Sequence, residues 1–316
     1  MCCVFTFYIG NIGVLTRLNK GAFYNCSGLK SVTIGDSVTS ISESAFYNCS
    51  GLTSVTIGDS VTSIGKSAFE NCSSLTSIVI PDGVTSIDYQ TFFGSGLTSV
   101  TIGNSVTNIE FNAFFDCDRI VEVYNKSSLR ITAGSSDNGG VARYAKNVYT
   151  EEGGSKLSTD ENGYVIYTDG EQRILVAYCG TATELVLPND ITSIYRKTFY
   201  KRNDLISITI PDNVISIGNY ALAYCSSLTS VTIGNRVTSI GDGAFFYCSN
   251  LKSITIPDSV TSIGVSVFKY CSGLTKINFK GTKAEWKNIS KYTDWKDNTG
   301  EFIVYCTDGT IEKSNA

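Results

Sequence analysis

Apolar and polar positions recur along this chain with a fixed period. In the stretch LTSVTIGDSVTSIGKSAFENCSS, Leu52 to Ser74, the apolar positions are Leu52, Val55, Ile57, Val61, Ile64, Ala68, Phe69 and Cys72. Close copies begin at Leu29, Leu52, Leu75 and Leu97, and again at Leu205, Leu228, Leu251 and Leu274, so the spacing is 23 residues with one of 22. A period of this length predicts a solenoid, in which each unit buries its apolar face only by stacking on its neighbours. Alternation across Val55 to Ile57 predicts a short strand with Thr56 turned outward. Gly58-Asp59-Ser60, replaced elsewhere by Pro81-Asp82-Gly83 and Pro257-Asp258-Ser259, predicts a corner after the strand. Val61, Ile64, Ala68, Phe69 and Cys72 then form a second inward row, spaced as a loose helical turn after an extended start.

These positions, with the recurring Ala-Phe and Cys, resemble the BspA-like, Treponema-type leucine-rich repeat. The expected fold is therefore a leucine-rich repeat solenoid, β-rich with short helical turns, forming one elongated right-handed stack with an irregular central island. The resemblance implies a cell-surface or secreted protein that binds other molecules, and it brings no catalytic residues with it.

The period divides the chain. Residues 1–28 read as a partial repeat or an N-terminal cap, in which Leu15, Leu18, Ala22 and Phe23 are the second half of a unit whose first half is lost or replaced; a degenerate secretory signal is the alternative. Residues 29–124 form a first array and 182–281 a second, while 125–181 form an island rich in flexible segments, such as GSSDNGG at 134–140. Within it a short helix is expected at Val141 to Val148 and a hairpin over 164–178, joined near Asp169-Gly170. The island either continues the stack or stands out as a module. Residues 282–316 read as a C-terminal cap with a short helix at Ala284 to Ile289 and a last strand at Phe302 to Tyr305. There Trp286 and Trp295 either cover the apolar end of the stack or stack on a ligand.

Charge and residue types then narrow the chemistry. The net charge is −4 with 25 Lys and Arg among 316 residues, so nucleic acid is not an expected partner. No apolar run is long enough to insert in a membrane. The chain has no His, which removes Ser-His, Cys-His and His-metal sites, and no enzyme activity, metal or cofactor is expected. Of 11 cysteines, Cys26, Cys49, Cys72, Cys117, Cys225, Cys248 and Cys271 share one repeat position. With side chains running parallel on successive coils they read as a buried, reduced ladder rather than as disulfides or a metal site. Asp36, Asp59, Asp82, Asp212 and Asp258 recur at the corner, where Asp is a turn former. Asn25, Asn48 and Asn71 stand in N-x-S sequons that recur because the repeat does.

Two outward rows are candidate contact surfaces. Hydroxyl side chains cover the strand face, and from them Thr53, Ser54, Thr56, Thr98, Thr101, Thr209, Thr232 and Thr255 are candidate ligand-binding residues; solubility and strand propensity explain the same row. An aromatic row, Tyr24, Tyr47, Phe93, Phe115, Tyr200 and Phe246, follows the inward Phe, and Tyr224, Tyr247 and Tyr270 add rings beside the second array's cysteines; Tyr200, Phe246 and Tyr247 are the candidates, and packing between coils explains these rings as readily. The leading expectation is a monomeric, adhesin-like protein, extracellular or at the cell surface, binding a host or microbial surface protein or glycan. A structural spacer, or a Thr-rich ice- or mineral-binding face interrupted by Val79 and Lys252, are the alternatives.

Overall fold

A computed structural model describes residues 5–9, as a strand, and residues 15–316 apart from Thr293. The chain forms two compact units, Met1–Lys156 and Leu157–Ala316, each a β-solenoid. The division falls inside the stretch 125–181, which is therefore not one body.

Each regular coil has three walls. The first is a parallel strand, as at Ser54–Ile57, paired in register with Leu29–Ile34 so that Val32 meets Val55 and Ile34 meets Ile57. The second is a two-residue strand, as at Ser63–Ile64, paired with Ser40–Ile41. The third is the stretch expected as a loose helical turn, and it follows a different rule. Alternate amides close i to i+3 turns, such as Ala68 onto Gly65 at 3.2 Å, while the others bond across to the next coil, such as Phe46 onto Ala68 at 2.8 Å and Asn48 onto Glu70 at 2.8 Å. Two left-handed residues per coil make this alternation, Ser44 and Asn48 at φ +55° in one coil and Ser67 and Asn71 at +54° and +59° in the next. A helix would send every amide along its own chain; here half of them hold the stack together.

The interior of each coil is filled by the predicted row. Leu52, Val61, Ala68, Phe69 and Cys72 are wholly buried. Phe23, Phe46, Phe69, Phe92 and Phe114 stack face to face through the first unit with centroids 5.0 to 5.5 Å apart. Cys49, Cys72, Cys117, Cys225, Cys248 and Cys271 are buried free thiols. Each donates to a carbonyl of the preceding coil, for example Cys72 Sγ to Phe46 at 3.2 Å and Cys271 Sγ to Phe245 at 3.0 Å. Ser95 occupies the ladder in the 22-residue coil, its Oγ donating to Phe92 at 2.7 Å. Arg202 stands at the corresponding place in the second unit, paired with Asp204 at 2.6 Å. Intact-mass measurement after alkylation without reductant is expected to find the six buried thiols unpaired, all of them alkylated only once the chain is unfolded. Replacing Cys72 by Ala removes one thiol donor and a small buried volume, an expected cost of about 1 kcal/mol in urea unfolding.

The irregular segments are coils and caps. At the N-terminus, Phe5–Ile9 pairs in parallel with Leu29–Ile34, placing Val32 opposite Phe7, so a strand without the repeat signature stands before the opening half-unit. Val141 to Val148 is not a helix. Gly139, at φ +63°, passes so close to the stack that an added Cβ would meet the Glu110 carbonyl at 2.6 Å, and its own carbonyl accepts the Phe114 amide at 2.9 Å. The chain then turns, buries Val141, Ala142 and Ala145, and pairs Asn147–Tyr149 with Glu122–Asn125. This is a further coil without the repeat signature.

In the second unit the hairpin forms from Tyr164–Asp169 and Gln172–Tyr178, and Leu175 pairs with Ile194 of the first regular coil's second wall. The helix Lys283–Asn288 starts at a capping box between Thr282 and Glu285. Trp286 and Trp295 are both buried, linked by edge contacts to Phe279 at 5.2 Å and Phe268 at 5.9 Å, so neither is available for surface stacking. Trp286 Nε1 has no hydrogen-bond partner among the described residues, a cost its ring packing must offset.

Candidate recognition surface

The two outward rows differ once their hydrogen bonds are followed. Threonines at the start of the first wall act as rivets between coils: Thr53 Oγ1 donates to Lys30 O at 2.9 Å, Thr229 to Ile206 O at 3.0 Å and Thr275 to Lys252 O at 3.2 Å. Threonines of the second wall do the same, as Thr62 to Thr39 O at 3.3 Å and Thr238 to Ile215 O at 3.2 Å. Much of the hydroxyl lawn is thus scaffold.

The middle of the strand face carries the outward threonines. Thr53, Ser54, Thr56, Thr209 and Thr232 are exposed, and Thr101 and Thr255 are half-buried. Thr209, Thr232 and Thr255 stand in register on successive coils. Thr98 is the correction: it is buried and donates to Thr76 O at 3.0 Å. At that end of the face Gly154 to Lys156 folds back against Asn147 and Glu122. There the buried Glu122 carboxylate accepts Asn147 Nδ2 at 3.2 Å, Ser155 Oγ at 2.7 Å and the Lys156 amide at 2.5 Å. The row is also broken by Val79 and Val186, which are 60% and 74% exposed.

The third wall is where the two units part. The left-handed position before each ladder residue holds Asn25, Asn48, Asn71, Gly94 and Asp116 in the first unit, residue types that tolerate positive φ. In the second unit the same position holds Lys201, Tyr224, Tyr247 and Tyr270, at φ +60°, +60°, +60° and +63°. A bulky side chain there costs roughly 1 to 2 kcal/mol. The position is fixed by the ladder, since the Tyr224 amide bonds Phe246 O at 2.7 Å and the Tyr247 amide Lys269 O at 2.9 Å. The strain is therefore repeated in successive coils for a ring that points away from the core.

Those rings form one exposed cluster with the residues beside them. Tyr224 meets Tyr200, Phe246 and Tyr247, each at 5.4 Å between centroids, and Tyr270 lies 5.5 Å from Phe246 and 5.4 Å from Tyr247. Tyr247 and Tyr270 are 46% and 39% exposed. Cations border the cluster, Lys197 and Lys201 over the Tyr200 ring at 5.1 and 5.3 Å and Lys269 over Tyr270 at 5.9 Å. Tyr200, Phe246 and Tyr247 of the sequence-based set thus come together, while the threonine candidates lie on a different wall. Tyr220 and Lys201 join the cluster from outside that set. The signal for the cluster is in the sequence, as the exchange of Asn before Cys in the first array for Tyr before Cys in the second.

The recurring corner aspartates have structural duties. Asp82 accepts the Asn104 amide at 3.0 Å and pairs with Lys126 at 2.7 Å, and those bonds hold its pKa below the ordinary carboxylate value; Asp212 accepts the Asn235 amide at 2.7 Å. No group of three or more His, Cys, Asp or Glu placed to hold a metal occurs among the described residues. Likewise, no helix among them is long and apolar enough to cross a membrane.

Comparison with known proteins places the repeat. A leucine-rich cell surface protein from Faecalibacterium prausnitzii is 28% identical over 87% of this chain and 79% of its own, with a TM-score of 0.41. A leucine-rich repeat protein from Bacteroides capillosus is 28% identical over 40% of this chain and all 100% of its own, TM-score 0.38. The pneumococcal vaccine antigen PcpA is 18% identical over 96% of this chain and 78% of its own, TM-score 0.46. No curated protein matches. Residues 6–121 and 175–293, most of the chain, match the profile of the BspA-type leucine-rich repeat region in six copies, and the protein therefore belongs to that family.

Proposed function

We propose that this is a non-enzymatic recognition protein, secreted or held at a cell surface, that binds a host or microbial surface protein or glycan through the aromatic cluster of its second unit. The observation that carries this is the tyrosine at a left-handed backbone position in three successive coils. Packing alone does not call for it, because the first unit fills the same position with Asn, Gly or Asp and keeps the same ladder. Residues held in strained backbone with exposed rings are characteristic of contact sites, where aromatic area is gained at low entropic cost.

The test exchanges one unit's solution for the other's. In a variant carrying Tyr224→Asn, Tyr247→Asn and Tyr270→Asn, relief of the left-handed strain offsets the missing ring packing, so the unfolding free energy is expected to shift by less than about 1 kcal/mol per site. On a glycan array and an array of purified surface proteins, the unaltered protein is expected to give saturable signals that fall at least tenfold in this variant. Signals that survive the triple change, or an unaltered protein that stays at background, would reject the reading; the latter is what a spacer would give.

A further inference from the structure

The first unit carries a separate cleft where its regular coils give way to the irregular one. Its apolar floor is Ile109, Phe111 and Phe115, its rim is Asp137 and Arg143, and it encloses about 440 Å³. Phe111 is 74% exposed, more than any other aromatic side chain among the described residues, and Phe115 is 44% exposed. Neither ring is needed to fill the core, since Phe114 takes the inward place.

The rim is chemically defined. The Arg143 guanidinium is held between two rings, 5.6 Å from the Phe115 centroid and 5.2 Å from that of Tyr144. Among the described residues it makes no ion pair or side-chain hydrogen bond, so an exposed planar fork of donors borders the cleft, open to a ligand. Asp137 is oriented by the Ser135 hydroxyl, which donates to its Oδ2 at 2.8 Å and accepts its amide at 3.1 Å. The cleft therefore offers an apolar floor, one fixed acceptor and one cationic donor. The aromatic surface also continues along the wall, since Phe93 stacks on Phe115 at 5.8 Å and Tyr89 is 38% exposed one coil before Phe111.

We infer that this cleft binds a peptide segment of a partner protein in which an aromatic side chain is followed by a carboxylate. The aromatic ring packs on the exposed face of Phe111, a backbone N–H donates to the Asp137 carboxylate, and the peptide's carboxylate accepts two hydrogen bonds from Arg143. A peptide fits better than a purely anionic ligand, because Asp137 repels an anion that brings no donor of its own. The site is independent of the aromatic cluster in the second unit and stands or falls separately from it.

The probe is a dye-labelled acetyl-Gly-Phe-Glu-Gly-Ser amide, titrated by fluorescence anisotropy to millimolar protein. Saturable binding is expected, at least tenfold weaker for Arg143→Gln and for Phe111→Ser, and at least tenfold weaker when Lys replaces Glu or Ala replaces Phe in the peptide. Both altered side chains are exposed, so thermal unfolding is expected to be unchanged. The Tyr224, Tyr247 and Tyr270 triple variant is expected to bind the peptide normally. No saturable binding, or equal affinity for the Arg143→Gln protein, or equal affinity for the Lys-containing peptide, would overturn the inference.

Discussion

Raising the pH towards about 11 is expected to destabilise the protein steeply, through its buried thiols and before those thiols titrate in the folded state. Burial pushes Cys49, Cys117 and Cys225 up to about 12 and raises Cys72 and Cys248 as well. In the unfolded chain a thiol ionises near pH ~8.5. The folded values are the higher ones, so their contribution is complete below the unfolded pKa and is lost as pH rises towards the folded one. Each thiol held protonated costs ~1.4 kcal/mol per pH unit in that window, so the three in the first unit cost ~4 kcal/mol and the two in the second ~3 kcal/mol per pH unit. Lys291 and Lys296 act the other way, since burial lowers both, Lys291 to about 8, and both lie in the second unit. Two pH units then remove ~8 kcal/mol from the first unit and ~6 kcal/mol from the second, comparable with the roughly 5 to 15 kcal/mol that holds most domains folded. The check is the urea midpoint by far-UV circular dichroism across this range, with Cys117→Ala and Cys225→Ala each lowering the slope of its own unit by about 1.4 kcal/mol per pH unit. A midpoint that stays flat to pH ~11 would sink this account of the ladder.

Replacing Phe69 by Ala should be the most damaging single change in the first unit. The ring is wholly buried and stacked between Phe46 at 5.1 Å and Phe92 at 5.5 Å. Backbone bonds on the second and third walls tie its coil to both neighbours, and a strand ladder on the first wall ties it to the preceding one, which resists collapse into the space. An unrelaxed cavity of that size costs about 3 to 5 kcal/mol, against the ~1 kcal/mol expected for Cys72→Ala one rung away. Urea unfolding of the two variants side by side checks both numbers, and equal costs would show that the stack relaxes freely.

Where the fold repeats, its pattern is legible in the sequence, because each inward residue recurs on a fixed period and one coil explains the next. Leu52 to Cys72 predicts the interior, and Trp286 and Trp295 fall where an open end needs covering. The third wall is harder. Its residues carry helical spacing, yet its geometry is set by two left-handed positions per coil, which show in the sequence only as Asn48, Asn71 or Gly94. The irregular coil has the local pattern of a helix from Val141 to Val148, and nothing in that pattern reveals that Val148 pairs with Val123, 25 residues earlier. Analogy with Thr53 puts Thr98 on the surface, and periodicity has no way to show that it is buried. The cleft at Arg143 is non-local in the same sense, since Phe111 and Arg143 meet only through the irregular coil.

If recognition resides in the aromatic cluster while the threonines serve chiefly as scaffold, single substitutions on the two walls must differ in their effect on binding. The comparison uses the array ligand giving the strongest signal and variants with unchanged thermal unfolding. Ala at Tyr200, Phe246 or Tyr247 is expected to weaken binding at least tenfold, and Ala at Thr209, Thr232 or Thr255 less than about threefold, since a few buried rings usually carry most of an interface's energy. The reverse ranking would move the contact to the strand face and overturn the assignment of the aromatic cluster as the site.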